Sequence, residues 1–314
     1  MNVFTKQNLN CFWGSVTNIL NSYDIQISEA ELVLFSNVLN CLYVTNESNL
    51  YFGIPNQGVY PTLKMLGVNV HKLKCITELL EVLHIAPVLL KVNTSALVYS
   101  DVYKGTSRTH FIVLLSLNGN QAQISDSFVS SIPRSCFEGI TDITQVIQNC
   151  KAKKDFGTAL LIKSEQETNL LYQKEKSNAY SMLISYAKTN IEMSEESVIR
   201  KYQLLSQYML GHTEQMLIEG RINEFVYMLK FNGAIDRLLY LAELVQRYCN
   251  APASTIDILS SLYGKWISIT NKLLKCAILK SSEIYKRIFE KDIPMLLNEE
   301  RNLYVDLIKT EESI

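Results

Sequence analysis

The sequence predicts an α+β domain over residues 1–164 followed by an all-α helical bundle over residues 165–314. Three observations predict this. The texture changes near residue 164: before it, short apolar runs are broken by Gly, Pro and Asn, and after it Gly and Pro become scarce and helical periods run long. Within the first part, helical patterns come early and an antiparallel hairpin comes late, the order of an α+β fold. The hydrophobic share of 47% suits a packed core and is too high for a disordered chain.

Taken in order, Phe12 to Asn21 reads as a buried helix, with Trp13, Val16, Ile19 and Leu20 at helical spacing. Ser28-Glu29-Ala30-Glu31 has the form of a capping box, which starts a second helix at about Glu29. A short helix from Pro61 to Leu66 is stopped by Gly67, and a strand follows through Val68, Val70 and Leu73. Thr77 to Leu83 is helical, and Pro87 leads into a strand through Val92. The strongest local signal is a hairpin: His110 to Leu117 is apolar and β-branched, Asn118-Gly119 supplies the tight turn, and Gln121 to Asp126 returns alongside. A short helix over Ile143 to Ile147 and a strand over Ala159 to Ile162 close the domain. Beyond it the pattern predicts helices over 166–189, 194–219, 221–249, 254–290 and 294–311. Leu262, Trp266, Ile269, Leu273 and Leu274 form the apolar stripe of the fourth.

Composition narrows the function. Thirty Lys and Arg against 31 Asp and Glu give a net charge of −1, which argues against nucleic acid as the partner. No apolar run reaches the ~18–20 residues that span a bilayer, so no membrane association is expected. The first residues lack the charged and apolar regions of a signal peptide. Seven cysteines, an odd number, then read as reduced thiols in a cytoplasmic protein. Neither C-x-x-C nor H-x-x-x-H occurs, nor any phosphate-binding glycine motif, so neither a metal nor a cofactor is expected.

Among the cysteines, Cys11 alone stands at a predicted helix start, where free N–H groups and the helix dipole favour a thiolate. Cys41, Cys75, Cys136, Cys150, Cys249 and Cys276 read as small buried hydrophobes. Of the four histidines, His110 begins an apolar strand that would hold its ring rigidly, whereas His71, His84 and His212 lie in contexts without that support. Asp126 ends the paired strand, and pairing about the turn brings it near His110, where a carboxylate would fix the ring tautomer. Cys11, His110 and Asp126 are therefore the candidate catalytic residues. Lys151-Ala152-Lys153-Lys154 reads as a solvated loop, with a surface for an acidic protein partner as the alternative.

This constellation resembles the papain-like fold. The stretch His110-Phe111-Ile112-Val113-Leu114-Leu115, Asn118-Gly119 and Ile124-Ser125-Asp126 is similar to the pattern of bacteriocin-leader cysteine peptidases. Asn10-Cys11, Asn18-Ile19-Leu20-Asn21-Ser22-Tyr23 and Ile27-Ser28-Glu29-Ala30 resemble the amino-terminal domain of butirosin-biosynthesis-type acyltransferases, with Asp24 where that family has Gly. The layout of such a domain before a helical half also looks like amide synthetases of the closthioamide type. The resemblance covers the first half of the chain. It implies an enzyme of natural-product biosynthesis that takes an acyl group from an acyl or peptidyl carrier-protein thioester, through an acyl-cysteine, to a small amine such as a diamine. It also implies an oxyanion-hole donor just before the cysteine: Gln7 is the candidate, with Asn8 or Asn10 as alternatives. The helical half would then serve to exclude water. Two other readings stay open, a leader-type cysteine peptidase and a binding module that keeps the fold without the chemistry.

Overall fold

The computed structural model describes residues 8–39, 42–46, 49–52, 56–100, 108–131, 134–191, 222, 226, 229, 235–249 and 251–312. It is a mixed helix and antiparallel-sheet protein, the α+β class. The described residues divide into two compact units. One takes in those up to Leu32 and from Asn56 to Lys176, and the other those from Val33 to Phe52 and from Ser177 onward.

The first unit starts with helix α1 (Cys11–Asn21), capped by Asn10. Every residue from Phe12 to Leu20 is buried, the polar Ser15, Thr17 and Asn18 included. Asp24 follows at φ 59. The turn after α1 thus needs the left-handed region that glycine fills at no cost, and Asp is among the few other residues that tolerate it. Helix α2 (Glu29–Phe35) opens on the predicted capping box: the Ser28 N–H donates to Glu31 Oε2 at 2.7 Å and the Glu31 N–H to Ser28 Oγ at 3.2 Å. A hairpin of β1 (Leu42–Asn46) and β2 (Asn49–Phe52), unforeseen in the sequence, groups with the second unit.

The rest of the first unit is α3 (Val59–Met65), β3 (Val68–Lys72), α4 (Ile76–Leu83), β4 (Val88–Asn93), β5 (Thr109–Asn118), β6 (Gln121–Ser131), β7 (Arg134–Asp142), α5 (Thr144–Lys153), β8 (Thr158–Ile162) and α6 (Glu165–Ser177). Six strands form one antiparallel sheet in the order β3-β8-β4-β5-β6-β7. Val88, Leu90, Ile112, Leu114 and Ile124 alternate along their strands and pack with Leu79 and Val82 of α4 and Val146 and Ile147 of α5. Leu89 and Val113, of the opposite parity, are buried too, and α1 packs against β5 and β6. Both faces of the sheet centre are covered, which explains why β5 reads as a continuous apolar run.

One expectation is corrected in the hairpin. Asn118 pairs with Gln121, so the turn is Gly119-Asn120, and Gly119 at φ 60 is its one positive-φ residue. That is the glycine-first pattern of a II′ turn. The register then shifts at a β-bulge between Leu114 and Ser116. The Lys151–Lys154 stretch is the last turn of α5 with its left-handed cap, where cations suit the dipole, and not a loop.

In the second unit, helices run over 179–191 (α7), Arg237–Tyr248 (α8), Ala253–Leu279 (α9), Ser282–Arg287 (α10) and Ile293–Glu312 (α11), with a π-helical turn over Ile288–Asp292. The expected stripe of α9 is buried at Leu262, Trp266, Ile269 and Leu273 and half-buried at Leu274. Three expected helices are interrupted: the first at Asn178, the third by a turn at Ile235-Asp236, and the fourth at Lys280, where the backbone turns left-handed at φ 50 and Ser281 caps the next helix. The helix expected over 194–219 lies outside the described residues. Among the described residues no helix is long and apolar enough to cross a membrane.

Candidate active site

The helix carrying Cys11 begins at Cys11 itself, one residue earlier than the apolar pattern places it, because Asn10 serves as the cap. Asn10 Oδ1 accepts from the N–H groups of Phe12 (2.9 Å) and Trp13 (3.3 Å), and its backbone oxygen accepts from Gly14 (2.9 Å). The Cys11 N–H has no acceptor among the described residues. The thiol is half-buried, and the dipole of an eleven-residue helix points its positive end at it.

The helix start is pinned to β5 at Phe111, whose ring meets that of Phe12 edge-on at 4.9 Å and whose backbone oxygen accepts from Ser15 Oγ at 3.4 Å. His110, next along the strand, therefore lies beside Cys11, within reach of a hydrogen bond to the thiol. Its Nε2 stands 2.8 Å from Asp126 Oδ2. With Nε2 engaged by the carboxylate, Nδ1 is the ring nitrogen available to the sulfur. His110 is 6% exposed and Asp126 is 1% exposed. Burial alone would lower the His110 pKa. The negative charge of Cys11, the hydrogen bonds to Asp126 and Cys11, and the charge of Asp126 outweigh it and raise the value to about 10. The structure thus brings Cys11, His110 and Asp126 together.

Asp126 is itself held by two further donors. The Tyr99 hydroxyl donates to Oδ2 at 2.8 Å and the Phe128 N–H to Oδ1 at 3.0 Å. Burial and the neighbouring Asp126 charge raise the Tyr99 pKa well above the ordinary value, so the hydroxyl stays a donor. Its ring stacks on Phe137 at 4.3 Å. Sequence reading passed over Tyr99. Its only signal is indirect: it follows β4, the strand whose Val92 pairs with His110.

Gln7 lies outside the described residues. Of its alternatives, Asn10 has its amide oxygen committed to the cap, and the Asn8 Nδ2 donates to Asn18 Oδ1 at 3.4 Å. Asn8 also donates its backbone N–H to Ser127 O at 3.1 Å, crossing α1 at Gly14. A Cβ there would stand 2.5 Å from Asn8 Cβ and 2.7 Å from Ser127 Oγ, so only glycine lets the segment pass.

The other cysteines differ from one another. Cys150, Cys249 and Cys276 are buried, and burial raises their thiols, that of Cys249 to about 11. Cys75 is half-buried, and Cys136 is exposed on the outward side of edge strand β7, so neither is a core residue as expected. Cys41 lies outside the described residues. His71 and His84 are exposed, and His212 lies outside the described residues. Among the described residues no three His, Cys, Asp or Glu side chains converge as metal ligands. No family model and no curated protein matches the chain.

Proposed function

We propose that this protein is a cysteine-dependent acyltransferase on a papain-like fold, forming an amide from a carrier-protein thioester and a small amine. The observation that carries this reading is the buried His110 ring, 2.8 Å from Asp126 Oδ2 and within hydrogen-bond reach of Cys11. With the proton they share resting on His110, the Cys11 sulfur adds to the thioester carbonyl. The resulting oxyanion is met by the Cys11 N–H. The carbonyl re-forms as the donor C–S bond breaks, and the carrier thiolate takes the proton back from His110. An amine then adds to the acyl-Cys11 carbonyl and gives its proton to His110. The Cys11 thiolate leaves, and the amide is released. The resemblance of the segments around Cys11 and Glu29 to butirosin-type acyltransferases supports transfer to an amine over transfer to water.

The test is intact-mass analysis after incubation with acyl thioesters and a diamine. Wild-type protein is expected to carry one acyl group and release amide, and Cys11→Ala to do neither. Full activity of Cys11→Ala overturns the proposal. Cleavage of peptides without aminolysis assigns a peptidase, and a Cys11 inert to iodoacetamide at neutral pH assigns a binding module.

A further inference from the structure

We infer that Glu29 is a positioning residue that aims the Cys11 N–H at the oxyanion, an inference that rests on the nucleophilic role of Cys11. The argument begins with the first turn of α1. Three of its four leading N–H groups are consumed by Asn10: Phe12 and Trp13 donate to the side chain and Gly14 to the backbone oxygen. Among the described residues, only the Cys11 N–H of this turn is left without an acceptor. A trans peptide is planar, so its N–H points opposite to the C=O that precedes it. Gly14 holds the Asn10 C=O along the helix at 2.9 Å, which turns the Cys11 N–H outward from the helix end.

That peptide is fixed on its other side by Glu29. The carboxylate accepts from the Leu9 N–H through Oε2 at 2.8 Å and from the Asn10 N–H through Oε1 at 2.9 Å. Two bonds from consecutive residues to one anion set the orientation of this segment as well as its position. Glu29 is 6% exposed, and desolvating a carboxylate there is tolerable because both oxygens accept hydrogen bonds. Its own platform is rigid. The Ser28–Glu31 capping box flanks it, and the Tyr172 hydroxyl donates to Gln26 O at 2.9 Å and Glu31 Oε2 at 3.0 Å. Hydrogen bonds from α6 thus brace the start of α2, and Glu29, carried on that start, holds the residue before the nucleophile.

The experiment separates oxyanion stabilisation from thiol reactivity. p-Nitrophenyl acetate acylates a thiol through a tetrahedral oxyanion and releases p-nitrophenolate. Iodoacetamide alkylates it by direct displacement of iodide, with no oxyanion. The ratio of the two rates at Cys11, set against that of free cysteine, measures the oxyanion site. Wild-type protein is expected to exceed free cysteine. Gln in place of Glu29 can accept from only one of the two N–H groups and sets an NH₂ against the other. Glu29→Gln is therefore expected to lower the acylation rate by about tenfold or more while leaving alkylation nearly unchanged, short of the loss from deleting an oxyanion donor outright. Should Glu29→Gln not fold, Glu29→Asp keeps the charge but is too short to span both N–H groups, and the same split is expected. An unchanged ratio, whether both rates fall together or neither falls, overturns the inference, as does a wild-type ratio equal to that of free cysteine. Failure of amide formation with the split intact overturns the acyltransferase reading and leaves Glu29 in place.

Discussion

His110 holds a positive charge that its burial opposes, and the sum of its partners decides the outcome. Its pKa rises from an ordinary 6.5 to about 10. A raised folded-state value means that the folded protein binds the proton more tightly than the unfolded chain does. The stability this contributes is complete below about pH 6.5, declines as pH rises through the interval, and is gone above about pH 10. Asp126→Asn removes the negative charge beside the ring, so the His110 titration moves downward. The stability gap between wild type and this variant is then expected to be widest near pH 6.5 and to close toward pH 10, read from urea unfolding across a pH series. A gap that is flat with pH would show that Asp126 contributes nothing through the ring. Tyr99 shares the same carboxylate oxygen at 2.8 Å. A neutral tyrosine can only donate there, which keeps Oδ2 an acceptor for His110 Nε2 and so selects the tautomer that leaves Nδ1 toward Cys11.

At the scale of elements, the site depends on a register that local sequence signals do not announce. The helix at Cys11, the capping box at Ser28 and the strand at His110 were all legible, because each rests on spacing or on a short motif. The bulge was not, since β5 is apolar on both parities and any register buries hydrophobic side chains. Continuing the pairs at the turn without the bulge would set Asp126 opposite Val113, on the face away from His110. The bulge near Leu115 moves Asp126 opposite Ile112, which shares a face with His110. Strand β7 escaped notice for the converse reason: Cys136 and Ile140 fall on its outward parity, Ile140 at 72% exposed, while Phe137 and Gly139 lie on the other. Gly14 gives a test in which two effects oppose each other. Alanine would favour the helix by about 1 kcal/mol. Its Cβ, however, would stand 2.5 Å from Asn8 Cβ, where the neighbour is a crossing segment and not the end of a long side chain. Overpacking of that kind costs about 1–3 kcal/mol. Gly14→Ala is thus expected to lower the melting temperature despite its better helix propensity, and to slow Cys11 acylation because the displaced residues lead directly into the nucleophile. A variant at least as stable and as reactive as wild type would overturn this account of Gly14.

At the scale of the whole molecule, all the candidate site residues that the structure describes lie in the first unit, and the second unit carries a polar centre of its own. Glu300, 4% exposed, accepts from the Arg237 guanidinium and from Trp266 Nε1, and the Tyr186 and Tyr304 hydroxyls meet at 3.1 Å nearby in the same unit. The helical pattern located Trp266 on the buried stripe, but nothing in the local sequence marks Glu300 as buried, because its partners stand 63 and 34 residues away. A buried ion pair adds little over an apolar pair of similar volume, yet losing one partner strands the other charge, at a cost of about 3–5 kcal/mol. Glu300→Gln keeps an acceptor for Trp266 but removes the charge and sets an NH₂ against the Arg237 guanidinium. It is therefore expected to lower unfolding free energy by about 3 kcal/mol, with Arg237 left uncompensated. Adding Arg237→Met to that variant removes the stranded charge, so the double variant should be more stable than Glu300→Gln alone, in urea unfolding followed by circular dichroism. If the double variant is instead less stable than the single, Arg237 contributes through packing around its stem and not through its charge, and the ion pair is not what holds the centre of this unit.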